Sequence, residues 1–170
     1  TSSGVSFELT PEQKMLQRMA RDFAATEIIP VAEHFDQTAE FPIDIINKGR
    51  ELGLVNLNIS EQYGGPGATV FEECLVAEEL AYGCSGISTA MSVNNLSALP
   101  IALGGTDQQK EYWLGERMMD KGDLAAYCVT EPAVGSNVVG METRAERKNG
   151  GYVINGSKIF ISNVNYASFY

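Results

Sequence analysis

"AAYCVTEPAVGSNVVG", Ala125 to Gly140, is where the chain changes character. Its first five residues, Ala125 to Val129, make an apolar, β-compatible run. The remainder holds Pro132, Gly135 and Gly140, the hydroxyls of Thr130 and Ser136, the carboxylate of Glu131 and the amide of Asn137. Upstream, apolar residues recur at helical spacing; downstream, short apolar runs are bounded by turn residues. Helices followed by strands, not alternating with them, point to an α+β chain built from successive modules. We place an N-terminal α-helical domain at residues 1–123 and the start of a β domain at 124–170. The small and polar residues after Val129 form either an idle surface loop or one shaped to let backbone approach a ligand.

Composition narrows the partners. With 170 residues, 44% of them apolar, the chain suffices for one medium domain or a domain plus part of another. A formal charge of −10 argues against nucleic acid and anionic membrane. No apolar run is long enough for a membrane span, so a soluble protein is expected. Cys74, Cys84 and Cys128 form no Cys-x-x-Cys pair, which favours a reducing compartment over a disulfide framework. His34 is the single histidine and has no companions at metal-ligand spacing, so no metal site is expected. The opening "TSSGVSFELT" lacks signal-peptide features and reads as the flexible start of a mature chain.

Three threonines announce helices. Thr10, Thr69 and Thr106 each have Glu or Gln three residues on, the capping-box spacing. After Thr10, the residues Met15, Leu16, Met19, Phe23 and Ile28 keep helical spacing up to Pro30, which should kink or end the helix. A shorter helix from Pro42 carries Ile45, Ile46 and Leu52, and "EQYGGPG" (Glu61–Gly67) is a turn. The helix from Val70 is expected to turn Phe71, Cys74, Leu75, Leu80 and Ala81 inward, with Glu72, Glu73, Glu78 and Glu79 in solvent. "GISTAMSVNNLSALPIAL" (Gly86–Leu103) has no charge and is read as a buried helix. A ligand cavity lined by Ser88, Thr89, Ser92 and Asn95 is the alternative. Beyond Asp123, strands are expected at Leu124–Val129, Met141–Arg147, Tyr152–Asn155 and Lys158–Ser162, with "KNGG" closing a hairpin.

"YCVTEP" and "KIFISN" each set a hydroxyl (Thr130, Ser162) at a strand end beside aromatic or β-branched neighbours (Tyr127, Val129, Phe160, Ile161). A flat heteroaromatic cofactor needs that pairing of an apolar face with donors at its polar edge. Two ordinary strands with edge hydroxyls would look the same. No Gly-x-Gly-x-x-Gly follows a strand, so a dinucleotide-binding unit is not expected.

Four stretches in order resemble the acyl-CoA dehydrogenase family: "EQYGGPG", "AEELAYGCSG", "YCVTEPAVGSNVVG" and "YVINGSKIFISN". The likeness runs from about Phe7 to Tyr170 and is greatest to the medium-chain type. It implies an N-terminal all-α domain followed by the beginning of a β-barrel-like middle domain, with the family's C-terminal helical bundle absent. It implies FAD contacts from Tyr127, Val129, Thr130, Ser136, Phe160, Ile161 and Ser162. Ser136 would also meet the acyl-CoA, and Ser88, Thr89, Ser92 and Leu96 would face its fatty tail. The implied reaction is α,β-dehydrogenation of a fatty acyl-CoA to a trans-2-enoyl-CoA in β-oxidation, with electrons passed to an electron-transferring flavoprotein. A homo-oligomer, a tetramer by resemblance, and the mitochondrial matrix (the cytoplasm in a bacterium) follow in the same way.

The resemblance puts the catalytic base in the C-terminal bundle, so no catalytic residue is nominated and the chain alone is expected to be inactive. Three positions depart from the family pattern. Ala133-Val134 replaces Gly-Ala, Asn137 replaces Asp, and Phe160-Ile161-Ser162-Asn163 replaces Trp-Ile-Thr-Asn. Alanine at 133 would strain the loop if a positive φ or close ligand approach were needed there. These departures keep open a second reading, a degenerate relative serving as a structural or assembly subunit without catalysis. An acyl-CoA oxidase is a third.

Overall fold

The computed structural model describes residues 8–170. Residues 1–7 of the expected flexible start, and with them Phe7 at the edge of the resemblance, lie outside the described residues.

All three capping boxes form. Thr10 opens α1 (Pro11–Phe23), Thr69 opens α4 (Val70–Gly83) and Thr106 opens α6 (Asp107–Lys110). In each, the threonine hydroxyl accepts the N–H of the third helical residue, whose side chain accepts the threonine N–H in return. Pro30 disturbs the first helix without stopping it. The backbone widens into a π-helical turn at Ala24–Ile28, tightens to 3-10 geometry at Ile29–Val31, and resumes as α2 (Ala32–Thr38). A ring without an N–H cannot continue the ladder, so the bonding register shifts around it. Then come α3 (Ile43–Glu51) and, after α4, the charge-free α5 (Ser85–Gly104). The helix begun by α6 continues in π geometry from Glu111 to Asp120.

Helix α4 packs against both α1 and α5, and one core is buried there from Phe23, Ile28, Ile46, Val55, Leu80 and Met91. A smaller core joins Ile59, Ala98, Leu114, Met118 and Ala125. Between the two runs the turn 54–59, and two asparagines of α5 stitch it in place. Asn94 donates to Asn56 Oδ1 (2.9 Å) and accepts the Ala125 N–H (2.8 Å). Asn95 accepts the Leu57 N–H (3.1 Å), and its carbonyl accepts from Asn58 Nδ2 (2.9 Å). Thus α5 is not simply apolar and buried: polar Asn94, Asn95, Ser88 and Ser97 are buried while Leu96, Leu99 and Leu103 are exposed.

The face of α4 differs from expectation. Leu75 and Leu80 are buried as the spacing predicts, but Phe71, Cys74 and Ala81 are exposed. Glu79, expected in solvent, is buried and ion-paired with Arg21 Nε of α1, whose guanidinium lies over the Tyr82 ring. Leu52 likewise lies beyond the end of α3 and is exposed.

The β portion is one antiparallel hairpin, β1 (Arg144–Lys148) and β2 (Gly151–Asn155), with Arg144 opposite Asn155. Asn149 and Gly150 both have positive φ (53° and 82°), the type I′ geometry expected of "KNGG". The other two expected strands do not form. Leu124–Val129 has a single bridge, Ala125 to Phe169, and Lys158–Ser162 has no ladder. A β-compatible run needs a neighbour along its whole length, and Phe160 turns out of the extended region (φ 57°). Met141–Thr143 is also outside β1, because its backbone bonds a side chain instead.

Candidate functional site

The residues after Leu124 leave the helical core held at two points. Asn94 fixes Ala125, and Ser168 and Phe169 bond the backbone of Leu124 and Ala126. The chain then makes a tight turn in which Glu131 and Val134 exchange both backbone hydrogen bonds at 3.0 Å. Pro132 and Ala133 form its tip. Ala133 has no positive φ, so the backbone there does not require glycine. That removes one of the two reasons for expecting strain at this departure.

The two segments singled out in the sequence lie side by side. Ile159 donates its N–H to the Thr130 carbonyl (3.0 Å). Lys158 Nζ donates to the Val129 carbonyl (3.0 Å) and to Glu131 Oε1 (2.8 Å), with Met141 Sδ at 3.5 Å. The Glu131 carboxylate, 4% exposed, also accepts the N–H groups of Glu142 (2.7 Å) and Thr143 (3.1 Å). The Lys158 ammonium first, and these backbone donors after it, hold the Glu131 carboxyl down to about 2. Burial pushes the nearby Cys128 thiol up, against the pull of the Lys158 charge.

The sign of the Glu131 contribution follows from a folded-state value below its ordinary 4.5. Its stabilisation is complete above that value and is withdrawn as pH falls toward about 2. Glu131→Gln should therefore be less stable than the parent at pH 7, and the gap should close on acidification through this range. Denaturant unfolding of both proteins across pH 7 to 2 measures it. A gap that stays constant with pH would show that the carboxylate charge is not what holds the loop.

The candidate contact residues distribute unevenly. Thr130 and Val129 are half-buried in the first segment, while Tyr127 and Ser136 are exposed. In the second, Ile161 is half-buried, Ser162 is exposed, and the Phe160 ring is 86% exposed. Asn163 Nδ2 bonds the Ala90 carbonyl (2.9 Å), tying this segment to α5. The four α5 residues do not share one surface. Ser92 and Leu96 line a groove of about 570 Å³ between α4 and α5. Thr89 lines a different one, about 550 Å³, together with Ser162 and Phe41. Ser88 is buried. Sequence reasoning passed over Glu131 and Lys158 as site residues, although opposite charges in two segments expected to meet were a usable signal.

The Ile159 to Thr130 bond brings the two segments together, with the Phe160 ring and Ser162 exposed on the second of them. The family "Acyl-CoA dehydrogenase, N-terminal domain" matches residues 10–120, and "Acyl-CoA dehydrogenase, middle domain" matches residues 126–170. The chain belongs to the acyl-CoA dehydrogenase family. It is 40% identical over 166 residues to a probable medium-chain specific acyl-CoA dehydrogenase, mitochondrial, of Caenorhabditis briggsae, covering 98% of this chain and 40% of that one. Among solved structures, butyryl-CoA dehydrogenase from Megasphaera elsdenii superposes with a TM-score of 0.87 at 33% identity, over 96% of this chain and 44% of that one. An acyl-CoA dehydrogenase complexed with FAD from Bacillus anthracis gives 0.87 at 32% identity, over 98% and 29%. The chain spans about two fifths of the length of the curated relatives it matches. Among the described residues, no helix is long and apolar enough to cross a membrane.

Proposed function

We propose that residues 1–123 and 124–170 are the helical domain and the opening of the β domain of an FAD-dependent acyl-CoA dehydrogenase. The reaction is α,β-dehydrogenation of a fatty acyl-CoA thioester to the trans-2-enoyl-CoA, within fatty-acid β-oxidation. The observation that carries this reading is the joining of Thr130 to Ile159, which sets the two segments of the family resemblance edge to edge. FAD, when bound, supplies the acceptor for the β-hydride. Thr130 and Ser162 donate hydrogen bonds at its polar edge, and Val129, Phe160 and Ile161 offer apolar surface. Tyr127 and Ser136 complete the contact, with Ser136 also meeting the acyl-CoA. Ser92 and Leu96 line the fatty tail's path, with Thr89 and Ser88 farther along α5. Electron-transferring flavoprotein is the electron acceptor, and the assembly is a homotetramer. The setting is the mitochondrial matrix, or the cytoplasm in a bacterium.

The named relatives, acyl-CoA dehydrogenases by description, support this class. Thr130→Ala removes a hydrogen bond of about 0.5–1.5 kcal/mol net, so FAD affinity should fall by roughly two- to tenfold. Titration of the protein with FAD, followed by flavin fluorescence, measures it. Unchanged affinity together with an unchanged flavin reduction potential would remove Thr130 from the site.

A further inference from the structure

No strand ladder holds the segments 129–131 and 158–162 together. What joins them is one backbone bond and the Lys158 ammonium, which bonds the Val129 carbonyl and pairs with Glu131, an acid that also gathers in Glu142 and Thr143. Both charges are largely withdrawn from water, Lys158 at 21% exposure and Glu131 at 4%. Ion pairs in such positions give little net stability, because desolvation offsets their attraction, and apolar residues of similar size often serve as well. Their advantage is direction. Hydrogen bonds fix angles and distances, whereas apolar contacts leave neighbours free to slide.

The placement along the chain is telling. Thr130 directly precedes Glu131, and Phe160, Ile161 and Ser162 follow Lys158 within four residues. Lys158 reaches past Glu131 to the Val129 carbonyl, so it grips the first segment on both sides of Thr130. We propose that Glu131 and Lys158 are positioning residues that set the Thr130 edge against the Phe160–Ser162 segment before FAD arrives. They touch no cofactor themselves; they spare the site the cost of ordering two ladderless segments at the moment of binding. The inference rests on the flavin reading above.

Three substitutions test it: Glu131→Gln, Lys158→Met and the two combined. Each is titrated with FAD by fluorescence, unfolded in urea, and followed by amide exchange at Ile159 without FAD. The single variants should weaken FAD binding by roughly tenfold, the scale of ordering one or two extra elements on binding. Both should also release the Ile159 amide. Lys158→Arg, which keeps charge and donors, should recover most of the affinity.

The combined variant is the decisive arm. Removing both charges leaves no unpaired ion, so urea stability should return toward the parent while FAD affinity stays low. Its bound flavin should also show a shifted reduction potential, which a purely structural pair would not move. If folded single and combined variants bind FAD as the parent does, with an unchanged potential, the inference is overturned. A parent protein that binds no FAD would instead overturn the flavin reading, and the inference with it, although Ile159 exchange would still report whether the pair joins the segments.

Discussion

Asn94→Ala should be the most damaging single change to the helical part of the protein. Asn94 is fully buried on α5 and bonds two elements at once. Its amide nitrogen donates to Asn56 Oδ1 and its amide oxygen accepts the Ala125 N–H. Alanine leaves the Ala125 donor and the Asn56 acceptor without partners, away from water. Each orphaned buried group costs about 1–3 kcal/mol, so a loss of roughly 2–6 kcal/mol is expected. Against a typical total of about 5–15 kcal/mol, that is a large share. The damage also reaches the candidate site, since Ala125 is where its first segment is anchored. Urea unfolding of Asn94→Ala beside Thr89→Ala, an exposed position on the same helix, gives the comparison. Two variants of equal stability would mean that the asparagine bonds contribute nothing net.

Gly65→Ala should come next, for a steric reason. A Cβ on Gly65 would overlap the carbonyl group of Ile59. That group cannot step aside: Ile59 is buried in the smaller core, and its carbonyl already accepts the Gly67 N–H at 2.8 Å. Overpacking of this kind costs about 1–3 kcal/mol, and losing the Gly67 bond adds about 0.5–1.5 kcal/mol. Gly104→Ala is the matched control. Its Cβ would meet nothing, and at the end of α5 alanine should be neutral or stabilising by up to about 1 kcal/mol. Thermal unfolding of the pair checks both signs. Equal midpoints would mean that the turn shifts freely.

What was legible in the sequence was local. The capping boxes at Thr10, Thr69 and Thr106 need only four consecutive residues, and the Asn149-Gly150 hairpin needs two. Glu79 was misplaced because its partner, Arg21, sits 58 positions away, and periodicity carries no record of a partner that distant. The same limit explains the two strands that failed to form. Leu124–Val129 and Lys158–Ser162 have the right composition, but a strand is a relation between segments, and the pairing goes to a side-chain ion pair and one bridge. At the candidate site, the residue types Thr130, Phe160 and Ser162 were readable as a set. The Glu131–Lys158 pair was passed over: Glu131 alone looks like a loop acid in water, and only the opposite charge of Lys158 in the other segment hinted at it.

Asn94 and Asn95 have a mechanical meaning as well. Consecutive residues on a helix point about 100° apart, from 3.6 residues per turn. The two side chains therefore grip the 54–59 turn from different sides, Asn94 at Asn56 and Asn95 at Leu57. A cylinder held only by greasy contacts could roll about its long axis. One held by two divergent brackets cannot. Rolling is the very motion that would carry Ser92 and Leu96, one turn apart, out of the groove they line. The asparagines thus act as a keyway: they remove one rotational degree of freedom, and the aim of the whole groove face is fixed by that constraint.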